Sequence, residues 1–458
     1  MKYGLRLNGA QHAALRSHLF PGDGMEAVAL LLCGRRAGQD RHIFVTQRVI
    51  PVPYEACRRA RDRVTWPTDI LDLLIPAAHA SSQAILKVHS HPSGYRAFSQ
   101  TDDDSDRGVF ESIGSLLDDD LPHGSAIMLP TGELFGRIAG PDGMVDHLSS
   151  ILVVGDDLKI WQASPAHNTT SFVLRHAQAF GSGTTALLRS LSVAVVGCSG
   201  TGSIVIEQLA RLGVGRLVLI DPESVEEENL NRIPNSGKED AFLRRPKVHV
   251  MASAIAKMGF GQEVLILERD LADRESVLAV AECDVVFGCM DRVEGRHLLN
   301  RIATFYCMPY FDVGVRLDAD GRGGIANIAG TVHYLQPGRS SLLSRGVYSI
   351  EEVEAESIRR TNPRLYERQR KEGYLRGVRE DRPAVISVNM FFAALVVNDF
   401  LARLHPYRNQ PNTNYARIGG SLAELQFYSE PETAACETLK RHVGRGDVEP
   451  PLERPTLS

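Results

Sequence analysis

The feature that most constrains the fold is an apolar stretch broken by a glycine-rich turn, LSVAVVGCSGTGSIVIEQLARLGVGRLVLID at 191–221. Its pattern predicts a strand, a tight turn, an amphipathic helix and a second strand that ends at Asp221. Gly197, Gly200 and Gly202 allow the backbone to approach phosphate groups closely, and an acid about 20 residues further on suits ribose hydroxyls. The stretch therefore predicts a Rossmann-like, doubly wound α/β domain that binds a nucleotide.

Basic and amide side chains follow at ordered spacings. PESVEEENLNRIPNSGKEDAFLRRPK supplies Asn229, Arg232 and Lys247, and the later apolar strand in VVFGCMDRVEGR is followed by Asp291. Together with the glycine-rich turn, these motifs resemble the ThiF/MoeB/HesA family, the adenylating core of ubiquitin-activating enzymes, over roughly residues 165–445. The departures are Glu223 in place of the family's second acid and an Arg-Pro pair before the lysine.

The resemblance implies adenylation, in which a carboxylate attacks the α-phosphate of ATP and expels pyrophosphate. Arg232 and Lys247 would neutralise the phosphates, Asp291 would bind Mg²⁺, and Asn229 would bridge phosphate and side chains. Asp221 is the expected partner of the ribose. Upstream, VLRHAQAFG places Arg175 where the family has an arginine that reaches the partner subunit's phosphates, which implies a homodimer through this domain.

A second motif, HSHPSGYRAFSQTD, lies in the first quarter of the chain. Two histidines two residues apart on a strand point the same way, so His89 and His91 can share a metal ion, and a turn can bring Asp102 to it. Two histidines, one carboxylate and an open position are typical of catalytic zinc. Glu26, in an apolar run, is the candidate for carrying the proton of the attacking water. Ser99 is placed to donate a hydrogen bond to the tetrahedral oxyanion.

This set resembles the JAMM motif of JAB/MPN metalloproteases, over roughly residues 1–140. The resemblance implies zinc-dependent cleavage of peptide or isopeptide bonds after the C-terminus of a ubiquitin-like protein. The alternative interpretation is a polar loop after a strand, with histidines bonded to the backbone. The acidic run from Asp102 to Asp106 is also typical of a helix N-terminus.

The cysteines leave the carrier of the activated acyl group open. Where relatives have Cys-x-x-Cys pairs or a thioester cysteine, this chain has Ser341-x-x-Ser344, and the C-terminal counterpart retains only Cys436. A four-thiolate zinc site is therefore not expected. Three interpretations stay open: the reaction stops at the acyl-adenylate, Cys436 on a mobile tail is the acceptor, or Ser341 or Ser344 is an introduced substitution.

Length and composition fit two enzymatic halves. The 458 residues carry 51 basic and 56 acidic side chains, so no broad nucleic-acid surface is expected. Neither a signal peptide nor an apolar run long enough for a membrane span is apparent, which predicts a cytoplasmic protein with no membrane partner. The mixed-charge stretch 359–382 is either a solvated helix with a loop or a crossover loop that grips a ubiquitin-like tail.

The patterns predict four segments: an N-terminal JAB/MPN mixed α/β domain over 1–145, a linker over 146–170, a ThiF-type domain over 171–445 and a disordered tail over 446–458. Both predicted sites handle the C-terminal glycine of a ubiquitin-like protein, so one shared substrate is expected, with a conjugating enzyme as a further partner. The pairing resembles fused proteins of bacterial ubiquitin-like conjugation systems, some tied to phage defence. The alternatives are processing and activation of a sulfur-carrier protein for cofactor or cysteine biosynthesis, and a non-catalytic scaffold.

Overall fold

The computed structural model describes residues 1–117, 120–140, 143–163, 174–320, 322, 324–371 and 385–457. The strands of the first domain (residues 1–163) are β1 (Lys2–Asn8), β2 (Val28–Ala37), β3 (Arg41–Pro51), β4 (Arg58–Arg59), β5 (Val64–Thr65), β6 (Ala84–Ser90), β7 (His123–Met128), β8 (Leu134–Gly140), β9 (Gly143–Val154) and β10 (Leu158–Gln162). Its helices are α1 (Gly9–Leu19), α2 (Ile75–Ala80) and α3 (Gln100–Leu117).

Eight of these strands form one mixed sheet in the order β1-β3-β2-β6-β7-β8-β9-β10, and β1 also pairs with β9. Side chains alternate between the two faces along each strand, so each face carries its own apolar cluster. Helix α1 packs on one face through Leu15 and Leu19. Helix α3 packs on the other face through Val109, Phe110 and Ile113. The strands β4 and β5 form a separate small hairpin.

The strands of the second domain (residues 174–435) are β11 (Ser192–Val196), β12 (Arg216–Ile220), β13 (Glu263–Leu267), β14 (Val285–Gly288), β15 (Tyr310–Ala319), β16 (Ile325–Leu335), β17 (Arg417–Ser421) and β18 (Gln426–Glu430). The helices are α4 (Leu174–Ser190), α5 (Gly200–Leu212), α6 (Lys238–Phe242), α7 (Lys247–Met258), α8 (Arg274–Glu282), α9 (Val293–Phe305), α10 (Ile350–Thr361), α11 (Pro363–Lys371) and α12 (Ile386–Leu404).

These strands form a single sheet in the order β13-β12-β11-β14-β15-β16-β17-β18. The first five are parallel to one another, and each of the last three runs antiparallel to the strand before it. Helices on both faces bury near-continuous apolar strands such as 193–196, as expected for a doubly wound sheet. The predicted doubly wound architecture is therefore present.

Two predicted segment boundaries are wrong. The predicted linker, 146–170, instead contributes most of β9 and all of β10 to the first sheet, where the continuous apolar run 151–154 is buried. The rest of that stretch, from 164, lies outside the described residues. The predicted disordered tail is ordered up to 457, where Leu452 is wholly buried in the second domain's core.

The C-terminal segment (residues 436–457) runs between the two domains. Gly444 lies so close to the first domain that a Cβ there would stand 2.1 Å from the carbonyl oxygen of Thr46. Its own amide donates to the carbonyl of Thr304 in α9, and the Asp447 amide donates to Arg35 in β2. Proline residues interrupt the apolar pattern of this segment, which is why the sequence predicts disorder. The segment is ordered by these tertiary contacts, and the periodicity of a sequence gives no information about such contacts.

Helix α12 is, among the described residues, the one helix long and apolar enough to cross a membrane by length and composition. In the structure 61% of that stretch is buried, and its apolar side chains Phe392, Val396 and Phe400 belong to the main core of the second domain. Core helices of this kind satisfy the same criteria, so the hydropathy of α12 is explained by packing.

Candidate metal centre and nucleotide site

The histidine motif lies where strand β6 meets helix α3. Along β6 the side chains of Lys87 and His89 share the face covered by α3, as the two-residue period requires. His91 follows directly after the strand, and Asp102 lies in the first turn of α3. Pairing of Val28 with His89 brings the start of β2, and with it Glu26, to the same place.

The three predicted ligands converge. One ligand atom from each of His89, His91 and Asp102 lies within 4.8 Å of the other two. The two Nε2 atoms are 3.2 Å apart, and His89 Nε2 is 2.9 Å from an Asp102 carboxylate oxygen. All three side chains are buried. The donor set and its spacing fit a divalent ion such as zinc, which binds imidazole nitrogen and carboxylate oxygen.

Outer contacts orient these ligands. His91 Nδ1 lies 2.8 Å from the carbonyl oxygen of Tyr95, so a proton on Nδ1 leaves the Nε2 lone pair facing the site. Ser99 donates to Asp102 through both its amide and its hydroxyl, each at 2.7 Å. The predicted role of Ser99 was donation to an oxyanion, whereas in this structure its hydroxyl holds the carboxylate at the start of α3.

Glu26 completes the group. Its carboxylate lies 3.8 Å from His91 Nε2, and its side chain is buried. Burial raises the pKa of Glu26 to about 7, and the interaction with His91 opposes this rise. The backbone is fixed by the small hairpin, because the Glu26 amide donates to Ala60 and Arg59 Nε donates to the Glu26 carbonyl. A buried carboxyl with a raised pKa suits proton transfer.

The glycine-rich turn joins β11 to α5 as predicted. Gly197 has φ of +90°, which glycine adopts freely, and a Cβ there would stand 2.7 Å from the carbonyl oxygen of Cys289. At Gly202 a Cβ would stand only 1.7 Å from the Gly197 carbonyl oxygen. The helix N-terminus therefore packs against its own turn in a way that only glycine permits, which leaves backbone amides at the turn for phosphate.

Asp221 lies at the carboxyl end of β12, beside this turn. Its two carboxylate oxygens accept from the amides of Cys198, at 2.7 Å, and Glu223, at 2.8 Å. Burial is the main cause that raises the pKa of Asp221 above its ordinary value. Next to it is a cavity of about 600 Å³, lined by residues that include Pro222, Leu267 and Glu268 at the ends of two strands. The strand order reverses one strand further along the sheet, between β11 and β14, and this is the place where doubly wound folds bind nucleotides.

The predicted phosphate ligands are placed near the turn but are occupied by protein groups. Lys247, at the start of α7, is buried, and its ammonium lies 2.6 Å from Glu223. Asn229 is buried and accepts from the amide of Glu226. Arg232 donates to the carbonyl of Glu228 at 2.7 Å. Glu223, which departs from the family pattern, thus neutralises the predicted phosphate-binding lysine.

Asn389 is a site residue that the sequence reasoning missed. This buried amide in α12 lies 2.4 Å from the Cβ position of Gly200, and Arg232 Cδ lies 3.3 Å from the same point. It also meets the hydroxyl of Thr201 at 3.5 Å. The signal that could have found it is the single amide in the otherwise apolar run VNMFFAALVV at 388–397, because a buried polar group needs a polar partner.

Two other predicted residues lie in exposed positions. Asp291 lies shortly after the end of β14 and is exposed. The amide of Cys289, the first residue after β14, donates to the carbonyl of Val196 at the end of β11. Asp291 therefore lies at the same edge of the sheet as the glycine-rich turn. Arg175 is exposed in the first turn of α4. Arg296, about one helical turn beyond Asp291, pairs with the buried Asp312. Its Nε lies 2.9 Å from a carboxylate oxygen of Asp312.

The candidate acyl-acceptor positions differ in exposure. Ser341 is buried, whereas Ser344 is exposed. Each backbone amide donates to the other residue's hydroxyl: Ser341 N–H to Ser344 Oγ at 2.9 Å, and Ser344 N–H to Ser341 Oγ at 3.1 Å. Cys436 is buried, so its predicted place on a mobile tail is wrong. The Cys436 amide donates to the carbonyl of Arg339, two residues before Ser341. The segment that contains Cys436 is therefore bonded to the segment that contains the two serines.

Comparison with known proteins identifies both halves. Residues 173–435 match the ThiF family, and residues 10–137 match prokaryotic homologs of the JAB domain. The fold and these matches define a two-domain α/β protein that joins a JAB-type domain to a ThiF-type domain. Because the first match covers more than half of the chain, the chain belongs to the ThiF family.

Individual relatives match part of the second domain. Ubiquitin-like modifier-activating enzyme 5 of Caenorhabditis elegans is 30% identical over 166 residues, which are 34% of this chain and 37% of the relative. Adenylyltransferase and sulfurtransferase MOCS3 of Mus musculus is 36% identical over 113 residues, or 25% of this chain and 24% of the relative. The chain thus spans roughly a third or less of the length of these curated relatives.

Among solved structures, the E. coli enzyme MccB with MccA-N7isoASN has a TM-score of 0.46 and 19% identity. The match covers 61% of this chain and 77% of that one.

Proposed function

We propose that this chain processes and activates a ubiquitin-like protein. The first domain would cleave the peptide or isopeptide bond after the C-terminal glycine of that protein, and the second would adenylate the same glycine with ATP. The observation that carries the first activity is the convergence of His89, His91 and Asp102 within 4.8 Å, with Glu26 beside them. The second rests on membership of the ThiF family and on the glycine-rich turn.

In the first site the three ligands would hold a zinc ion. A bound divalent ion supplies a Lewis acid that polarises the scissile carbonyl and activates water. Glu26 would take the proton of the attacking water on its carboxylate and return it to the leaving amine. Ser99 and Tyr95 keep the ligands oriented through their bonds to Asp102 and His91.

In the second site ATP is a substrate. The backbone amides of the glycine-rich turn would hold its phosphates, Asp221 its ribose and Asp291 the Mg²⁺ ion that accompanies it. Lys247 would have to leave Glu223 and bind a phosphate group instead. The positive charge of Lys247 would then be available at the site only when the nucleotide is bound. Arg175 would serve the phosphates of a second subunit, so the proposed active form is a homodimer.

Sulfur-carrier activation is the second candidate. Each of the seven cysteines is buried or half-buried, and the candidate acceptor Cys436 is only 3% exposed. A thiol of that kind is a poor nucleophile, which favours an enzyme that releases an acyl-adenylate without a thioester. Function in the cytoplasm of a bacterium under phage attack stays a prediction.

The deciding experiment is ATP–pyrophosphate exchange by the full chain with ubiquitin-like proteins that end in glycine. Asp291→Ala should abolish exchange, and persistent exchange would reject the Mg²⁺ role. Ser341→Cys and Ser344→Cys are then run on non-reducing gels. A thiol-sensitive adduct at either position would indicate a conjugation-type activator, whereas exchange with no adduct would favour the sulfur-carrier alternative. No exchange with any candidate would reject adenylation of such proteins.

A further inference from the structure

A buried charge cluster lies directly behind the candidate metal centre. It consists of Lys87, Asp106 and Arg137, which are 3%, 0% and 8% exposed. The proposed hydrolysis uses none of these groups. Buried charges are costly unless they are paired, so a cluster placed here must be explained by what it holds.

The Lys87–Asp106 contact joins the same strand and helix as the His89–Asp102 contact of the metal centre. On β6, Lys87 precedes His89 by two residues, which is about 6.6 Å along a strand. On α3, Asp106 follows Asp102 by four residues, which is about 6 Å along a helix. The two spacings match, so His89 faces Asp102 and Lys87 faces Asp106 as two successive contacts between the same strand and the same helix.

Arg137 ties the second contact to the loop that carries the ligands. From β8 its guanidinium donates to one Asp106 oxygen at 2.6 and 3.0 Å. The same guanidinium lies 3.8 Å from the centre of the Phe98 ring, directly before Ser99. Phe98 in turn packs edge-on against His89, with ring centres 6.4 Å apart. Asp106 therefore fixes the helix, the strand and the loop relative to one another.

Charge gives Asp106 a second effect. The ammonium of Lys87 points to the face that carries His89 and would repel a divalent cation bound there. Asp106 lies in contact with that ammonium and neutralises it. With the carboxylate removed, Arg137 would keep its ion pair with Asp103, whereas Lys87 would keep only the Ser105 hydroxyl, so its buried charge would be left without a counter-charge beside the metal centre.

We propose that Asp106 is a positioning residue for the metal centre: it sets the register of α3 on β6 and cancels the field of Lys87, and thereby raises the affinity for zinc. This inference rests on the proposed metal site. Removal of such an outer contact typically weakens metal binding roughly 10- to 100-fold.

The test is zinc affinity of the full chain, measured by competition with a chelator and by the zinc-induced rise in unfolding temperature. Asp106→Asn, which keeps the shape and removes the charge, is compared with Asp104→Asn, the same change on an exposed position of the same helix. We expect the dissociation constant of zinc to rise roughly 10- to 100-fold in Asp106→Asn and to stay unchanged in Asp104→Asn. A purely structural role would lower the unfolding temperature of the zinc-free and zinc-bound forms equally.

The outcomes separate the two proposals. Wild-type protein that binds no zinc overturns both the metal site and the positioning role. Wild-type protein that binds zinc, together with Asp106→Asn of equal affinity, overturns the positioning role alone. If Asp106→Asn does not fold, Lys87→Gln carries the test, because the glutamine amide can still donate to Asp106 from β6 while the positive charge is gone. In that variant we expect zinc affinity at least equal to wild type, and a loss of affinity overturns the inference.

Discussion

Replacement of Arg6 by methionine should uncouple the two domains. Arg6 leaves β1 of the first domain and is wholly buried against the second, where it donates to the carbonyl oxygens of Ala281, Cys283 and Tyr306 at 3.0, 2.7 and 3.1 Å. Two of these carbonyls end helix α8, so the cation also meets the negative end of a helix. Burial lowers the pKa of Arg6 to about 10, and the group is therefore still charged at pH 7.

The magnitude follows from what the substitution leaves behind. Methionine fills much of the same volume but donates nothing, so three buried carbonyls lose a charged partner, and each unsatisfied acceptor costs about 1–3 kcal/mol. Local relaxation and the gain from no longer burying a cation offset part of that sum. Neighbouring Asp284 stays paired with Arg41 at 2.7 Å, so no second charge is stranded. We expect Arg6→Met to lower the free energy of unfolding by about 3–5 kcal/mol.

Urea unfolding with two probes measures both the loss and its location. The chain has two tryptophans, Trp66 and Trp161, and both lie in the first domain. Tryptophan fluorescence therefore reports that domain, while far-ultraviolet circular dichroism reports both. In wild type the two curves should coincide, and in Arg6→Met fluorescence should change at lower urea than circular dichroism.

Lys2→Met is the matched control, since Lys2 is exposed on the same strand. It should leave the curves within about 0.5 kcal/mol of wild type. If Arg6→Met also falls within about 1 kcal/mol of wild type with coincident curves, the buried guanidinium does not couple the domains and the reasoning is refuted.

Three further predictions concern the sites and the core. Glu26→Ala should reduce cleavage about 10²- to 10⁴-fold with zinc content unchanged, and lost zinc would show that Glu26 is a ligand. Gly202→Ala should abolish ATP–pyrophosphate exchange because its Cβ would overlap a backbone oxygen, whereas Gly183→Ala, with open space around it, should retain exchange. Burial lowers the pKa of His123 and His333 to about 3, so these groups stay neutral in the fold and protonate in the unfolded chain. The free energy of unfolding, measured by urea titration, should therefore fall as pH drops from 7 to 5, by up to about 1.4 kcal/mol per pH unit for each histidine. The variant with both histidines replaced by glutamine should show a smaller fall.

Motifs with local spacing were predictable from the sequence. The strand, turn and helix around Gly197 and the convergence of His89 with His91 depend on periods of two and 3.6 residues, which the chain displays directly. The family comparison then confirmed both domain types. The ligand role of Asp102 and the roles of the nucleotide-site residues stay predictions.

What the sequence could not provide are contacts between distant segments. Asn389 approaches the glycine-rich turn from almost 190 residues away, and the bond between Arg6 and Ala281 spans 275 residues. The mistaken linker and tail have the same cause. Gly and Pro residues near 140 and 450 predict breaks in the fold, whereas β9 and the segment around Leu452 are ordered by the residues that they pack against.

The C-terminal segment has a consequence for the order of folding. Its amide at Asp447 bonds to β2, more than 400 residues earlier in the chain. Contacts of such sequence separation close late, since the loop entropy must be lost before the contact contributes. During synthesis, the surface of the first domain that contacts the C-terminal segment would therefore stay exposed until almost 300 further residues have emerged from the ribosome. If the two domains were expressed as separate chains, this surface of the first domain would stay exposed permanently. We expect the isolated first domain to need a chaperone or a partner to avoid aggregation.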